Sequence, residues 1–200
     1  MSATRRSVWL DVAVAALAGV VALAIYIRSL APGLLWGDSA EFQMAAWLGG
    51  FAHPTGYPLY LMLGWLWTHL LPVRDPAFRM NLFSALWGAV AVGLVALLAM
   101  RLMRFLRMPD PTGMYATSWR NLSGLSRLVA FGAALVFIFT PTFWSQAVVA
   151  EVYTLHAAFV AAILLALLLW GERRLAGQSA ARPAYAVALL FGLSLAHHRS

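Results

Sequence analysis

The sequence predicts an all-α protein: a polytopic transmembrane bundle of about five spans, with juxtamembrane helices in a long first external loop. Three observations carry this reading. Of the 200 residues, 62% are hydrophobic and 10% are charged, whereas a soluble domain carries about 25% charged residues. The apolar residues fall in long runs parted by short arginine-bearing loops, the pattern of a chain that crosses a bilayer repeatedly. The net charge of +7 comes from arginine alone, because there is no lysine. Those arginines flank the apolar runs, which speaks for membrane topology and contact with the lipid bilayer, not for nucleic acid. The absence of cysteine excludes disulfides and thiolate metal sites. Residues 1–200 read as a single membrane domain.

The first span covers roughly Val8 to Leu30. Its apolar run is too long for a signal peptide and holds no convincing cleavage site, so it reads as retained. Asp11, near its start, is expected to snorkel to the interface beside Arg5 and Arg6. Ala31-Pro32-Gly33 ends the helix. A short amphipathic helix follows over Ser39 to Gly49, with Asp38 as its N-cap and Gly49-Gly50 as its stop. A second apolar block, Tyr57 to Leu71, is short for a span. The next long span is Asn81 to Leu106, and residues 107–126 form a polar loop. Leu128 to Trp170 would measure about 65 Å as one helix, twice a bilayer core, so it folds as a hairpin broken at Pro141. The third span is then about Arg127 to Thr140, lengthened slightly past the proline. The fourth is about Tyr153 to Trp170, and the fifth, Pro183 to Ala196, ends in His197-His198. Trp9, Trp144 and Trp170 read as interface anchors.

Arginine placement decides whether the short block crosses. If it lies along the surface, ten arginines are cytoplasmic and Arg28, Arg74, Arg79 and Arg199 are external. If it crosses, five remain cytoplasmic and nine are external. The positive-inside rule favours the first arrangement. The N-terminus is then cytoplasmic, 31–80 is an external loop, 107–126 is a cytoplasmic loop, and the protein is expected in the cytoplasmic membrane.

This topology gathers the scarce polar chemistry at one depth. Asp38, Glu41, His53, Tyr57, Glu151, Tyr153, His156, His197 and His198 all fall on or near the external leaflet, from three chain segments. Convergence of that kind is what a site requires. Asp38 and Glu41 share a helix face at i, i+3. They suit a general base with its orienter, a pair of metal ligands, or a capping box. His53-Pro54-Thr55-Gly56-Tyr57-Pro58 is a conformationally fixed loop suited to positioning a substrate. Arg74 and Arg79 could hold a lipid phosphate or pair with Asp75. Tyr153 and His156 share a helix face, and Glu151 should turn inward to a polar partner unless it only caps the fourth span. His69 reads as structural. No metal is required; a divalent ion is compatible but weakly supported, since adjacent histidines rarely bind one ion.

DSAEF, HPTGYPLY and the RMNLFSAL that opens the next span resemble a family of polytopic glycosyltransferases of the GT-C class. The likeness is to the bacterial relatives of the vertebrate transmembrane protein O-mannosyltransferase family. AEVYTLH and the terminal GLSLAHH are similar to that family's later motifs, and the likeness covers about residues 10 to 198. It implies a polyprenyl-phosphate-linked sugar donor and inverting transfer to an acceptor hydroxyl, on protein or glycan, at the external face. The acidic residue that activates the acceptor in that class matches Asp38, with Glu41 or His53 as orienter and an arginine such as Arg79 toward the phosphate. Tyr57, Glu151, Tyr153, His156, His197 and His198 complete the expected substrate site. Such enzymes have more spans than five, so a chain ending at Ser200 is expected to be an N-terminal fragment or a reduced form. The rival reading is a non-catalytic membrane protein, a transporter fragment or assembly subunit. Transporters place charge near the midplane, whereas here it sits at the interface.

Overall fold

The computed structural model describes residues 3–106 and 123–198, in eight helices with no strand among them. They are α1 (Ala3–Arg28), α2 (Asp38–Leu48), α3 (Pro58–Leu70), α4 (Pro76–Phe105), α5 (Ser123–Ile138), α6 (Pro141–Ala147), α7 (Tyr153–Leu175) and α8 (Ala181–His197). The expected all-α bundle is present. By length and apolarity α1, α4 and α7 can each cross a membrane, and α5 with α6 makes a fourth if the pair is one broken span. The expected fifth span is α8, whose 17 residues rise about 25 Å, at the short end for a crossing. The 13 residues of α3 rise only about 20 Å, short of a bilayer core of about 30 Å. Most of the expected 107–126 loop lies outside the described residues, and its last four residues belong to α5.

Three boundaries differ for identifiable reasons. α4 begins five residues earlier than expected, because Asp75 caps it by accepting from the Phe78 N–H at 2.9 Å and Pro76 occupies the first turn. The chain does not continue straight past Pro141; α5 and α6 meet at 71°. Asp38 is not the N-cap of α2. Gly37 is, with φ 68° and ψ −145°, a backbone region essentially reserved for glycine, and the capping box does not form.

α4 is the central post. α1, α5 and α7 pack around it, and α8 packs outside α7. The α1–α4 seam is built from small residues: Ala15, Ala18 and Ala22 face Ala85, Ala89 and Ala96, all buried. Such residues let backbones approach closely in lipid, where no hydrophobic effect drives helices together. A Cβ on Gly19 would stand 3.0 Å from the Ala89 carbonyl oxygen, and one on Gly93 3.1 Å from that of Ala15.

The two ends of the bundle carry different polar chemistry. At one end Asp11 is buried, 1% exposed, and pairs with Arg104 of α4 and with Arg127 of α5, the latter at 2.9 Å. It therefore does not snorkel beside Arg5 and Arg6. A carboxylate this deep needs compensation, and two later helices supply it. Arg101 pairs with Glu172 at 3.3 Å, tying α4 to α7 at the same end. At the opposite end α2 and α3 pack on the start of α4 and α7 through Phe42, Tyr60, Met80, Phe83, Val152 and Leu155.

The close seam predicts that Gly19→Leu or Gly93→Leu destabilises the protein by about 1–3 kcal/mol through overpacking. A lower thermal unfolding midpoint in detergent would show it. Gly132→Leu on α5, where an added Cβ meets nothing within 4 Å, should leave the midpoint unchanged.

Candidate functional site

The site end is organised by buried amides. Asn81, 0% exposed in the first turns of α4, donates through Nδ2 to the carbonyls of Ala31 and Gly33 at 3.0 and 3.1 Å. Its Oδ1 accepts from Nε2 of Gln43 on α2 at 2.8 Å. The Gln43 side-chain oxygen in turn accepts from the Leu35 N–H at 3.2 Å. The segment between α1 and α2 is thereby tied to both α2 and α4, and this fixes the helix start that carries Asp38. One turn along α4, the Ser84 hydroxyl donates to the Glu151 carbonyl at 3.1 Å and accepts from the Glu151 N–H at 3.0 Å. The segment ahead of α7 is thus held against the same post.

These anchors bring together three of the expected carboxylates. Glu151 turns inward: its Oε1 accepts from the hydroxyl of Ser39, the neighbour of Asp38, at 3.3 Å. Burial raises its pKa, the Ser39 hydrogen bond opposes this, and the charge of Asp38 raises it further. Glu41 accepts from the His53 backbone N–H at 2.6 Å and faces His53 Nδ1 at 2.7 Å. The side-chain hydrogen bond between them lowers the Glu41 pKa and raises that of His53. The Asp38 carboxylate is exposed and accepts no hydrogen bond from the described residues. The cluster therefore holds one half-buried carboxylate, one carboxylate locked to an imidazole, and one free carboxylate.

Tyr57 joins this cluster to the histidines. Its φ of 44° places it in the left-handed region, rare for a bulky residue. Its ring lies 5.3 Å from Phe42, 5.4 Å from His53 and 5.5 Å from His198. His198 in turn lies 5.2 Å from His156 and 6.1 Å from Tyr153. His197 is buried, with Nε2 3.0 Å from the Val152 carbonyl. His69 stacks between Trp47 and Trp65 at 4.4 and 4.5 Å, in keeping with a structural role.

Arg79 is engaged elsewhere. Its guanidinium donates to the carbonyls of Val73, Thr68 and Arg74 at 2.8, 2.6 and 2.7 Å, which ties down the loop between α3 and α4. Neither Arg74 nor Arg79 pairs with Asp75: Arg74 lies over the Phe78 ring at 4.6 Å, and Asp75 is the α4 cap. The residues that sequence reasoning gave no role are Ser39, Gln43, Asn81 and Ser84. The signal was available for all but Ser39. Gln43, Asn81 and Ser84 are polar residues inside apolar helical stretches, and Asn81 and Ser84 lie one turn apart on one face.

Asp38, Glu41 and His53 each place one ligand atom within 4.8 Å of the others, a spacing a divalent cation can bridge. The donor set of two carboxylates and one imidazole suits such an ion. Both Glu41 oxygens already have partners on His53.

Residues 38–200 match the family described as the Protein O-mannosyl-transferase TMEM260 N-terminal domain. The chain is 34% identical over 177 residues to the Protein O-mannosyl-transferase TMEM260 of Mus musculus, covering 88% of this chain and 22% of that protein. It is 27% identical over 151 residues to the Protein O-mannosyl-transferase tmem260 of Dictyostelium discoideum, covering 74% of this chain and 16% of the relative. No solved structure shows significant similarity to the chain.

The Glu41–His53 pair predicts a measurable titration. His53 should titrate above the ordinary histidine value in an NMR pH series, and Glu41→Gln should bring it back down. The pair's contribution to stability is full between the ordinary carboxylate value and the ordinary histidine value. It is lost as pH rises through the raised His53 pKa, and lost again as pH falls through the lowered Glu41 pKa. A His53 midpoint that does not respond to Glu41→Gln would contradict the pairing.

Proposed function

Because the chain belongs to the family of TMEM260 protein O-mannosyl-transferase N-terminal domains, we propose that it forms the acceptor-activating part of a membrane glycosyltransferase. The donor is a sugar carried on polyprenyl phosphate, and by the relatives' names the sugar is mannose and the acceptor a protein hydroxyl. The observation that carries this reading is the free Asp38 carboxylate beside the locked Glu41–His53 pair and the inward Glu151. A carboxylate without a partner can take a proton; one already bound to an imidazole is better suited to positioning.

The acceptor O–H gives its proton to Asp38 as its oxygen bonds to the anomeric carbon. On the opposite face the bond to the phosphate oxygen breaks, the electron pair stays on that oxygen, and polyprenyl phosphate leaves. In-line displacement of this kind inverts the anomeric centre. Glu151, half-buried and hydrogen-bonded to the neighbour of Asp38, is suited to hold a hydroxyl near Asp38. The arginine distribution supports a cytoplasmic N-terminus, with Asp38 on the external side.

Two measurements test the reading. Labelled polyprenyl-phosphate mannose should yield labelled acceptor with the full-length protein, and Asp38→Asn should cut kcat by about 10²–10⁴, the usual worth of a general base. Equal turnover by the variant removes Asp38 from the role. For topology, an introduced cysteine at exposed Phe51 should react with an impermeant reagent added outside intact cells. A cysteine at Leu106, beyond the other end of α4, should not; the opposite pattern reverses the orientation.

A further inference from the structure

Arg79 spends three N–H groups on its own loop, so a leaving phosphate needs other donors. Three imidazoles stand at the site end, His156 on α7, His197 on α8 and His198 just past it, and the Nδ1 of each is buried without a hydrogen-bond partner. Nitrogen atoms in that condition are uncommon in folded proteins because each costs the desolvation of a polar group. His197 is tied by Nε2 to the Val152 carbonyl, which requires a proton on Nε2 and fastens the end of α8 to the head of α7. That contact positions its neighbour His198 beside His156, with ring centres 5.2 Å apart.

The same two histidines line a groove of about 390 Å³ between α7 and α8, whose walls include Ile163, Leu164, Phe191 and Leu195. Leu164, Phe191 and Leu195 are about half exposed, so the groove opens on the outside of the helices. Its wall is apolar except for Ser194, whose hydroxyl donates to the Phe191 carbonyl, and it ends in imidazoles; beyond His198 the Tyr57 ring leads on to His53. That order of chemistry matches an amphiphile with an isoprenoid chain, a phosphate and then a sugar.

We propose that His156 and His198 hold the phosphate of the polyprenyl-phosphate donor, with its isoprenoid chain in the α7–α8 groove and its sugar over Tyr57 toward Asp38. The assignment rests on the glycosyl-transfer reading above. N–H groups at this point donate to the non-bridging phosphate oxygens, whose negative charge grows as the bond to the anomeric carbon breaks. His197 is a positioning residue.

The test uses full-length protein in detergent and a polyprenyl monophosphate carrying a diazirine in its chain. Photolysis should place the label on α7 and α8. His156→Ala and His198→Ala should each weaken labelling, and raise the donor KM, about tenfold, the worth of one hydrogen bond to a charged group. His→Gln at either position, which keeps an N–H donor, should recover part of the loss. A diazirine polyprenol without phosphate should label all variants equally, and inorganic phosphate alone should compete weakly. Label elsewhere, a groove occupied by later segments of the same protein, or histidine variants with unchanged labelling and KM would overturn the proposal. Labelling requires no turnover. A wild-type protein that binds the phosphate lipid through these histidines but transfers no sugar would sink the glycosyl-transfer reading and leave the site standing.

Discussion

The contact on which the site depends is the hydrogen bond between Gln43 and Asn81. Neither side chain carries charge and neither faces solvent. Each amide can both donate and accept, so two of them close a network that satisfies the backbone carbonyls of Ala31 and Gly33 and the N–H of Leu35. An irregular segment between a span and a surface helix would otherwise leave those groups unpaired in an apolar setting, at a cost of about 1–3 kcal/mol for each. Gly37 then turns the chain so that Asp38 opens α2 with its carboxylate outward. The free carboxylate is exposed because the amides behind it are fully engaged.

α4 is the common reference for both halves of the site. Asn81 fixes the segment before α2, and Ser84, one turn later, fixes the segment before α7. The relative placement of Asp38 and Glu151 is therefore set by two positions on one rigid helix and owes little to the loops that carry the carboxylates. Constellations held to helices in this way keep their geometry better than those carried by loops alone.

Much of this was legible in the sequence, for physical reasons. Apolar runs and arginine flanks mark helices by length and charge. The hairpin at Pro141 follows from a run too long for one crossing, although its 71° bend does not. The convergence of Asp38, Glu41, His53 and Glu151 follows from the scarcity of polar groups at one depth. What the sequence hid was partnership. Asp38 beside Ser39 and Glu41 reads equally as a cap or a site, and only the observed His53 contact shows Glu41 committed elsewhere. Arg79 reads as a phosphate ligand or a partner of Asp75 because backbone carbonyls, its actual partners, leave no trace in side-chain pattern. Asp11 reads as interfacial for the same reason: Arg104 and Arg127 lie far along the chain, and one-dimensional spacing carries no sign of them.

That separation bears on how the protein is made. Asp11 emerges from the ribosome with α1, but its two partners are 93 and 116 residues further on. At about 5–20 residues per second, translation takes about 5–20 s to reach the first of them. During that interval the Asp11 carboxylate lacks both of its final partners. Its position near the end of the span lets it rest among headgroups while it waits. α1 can therefore be inserted early, but its two ion pairs cannot close until α4 and α5 arrive.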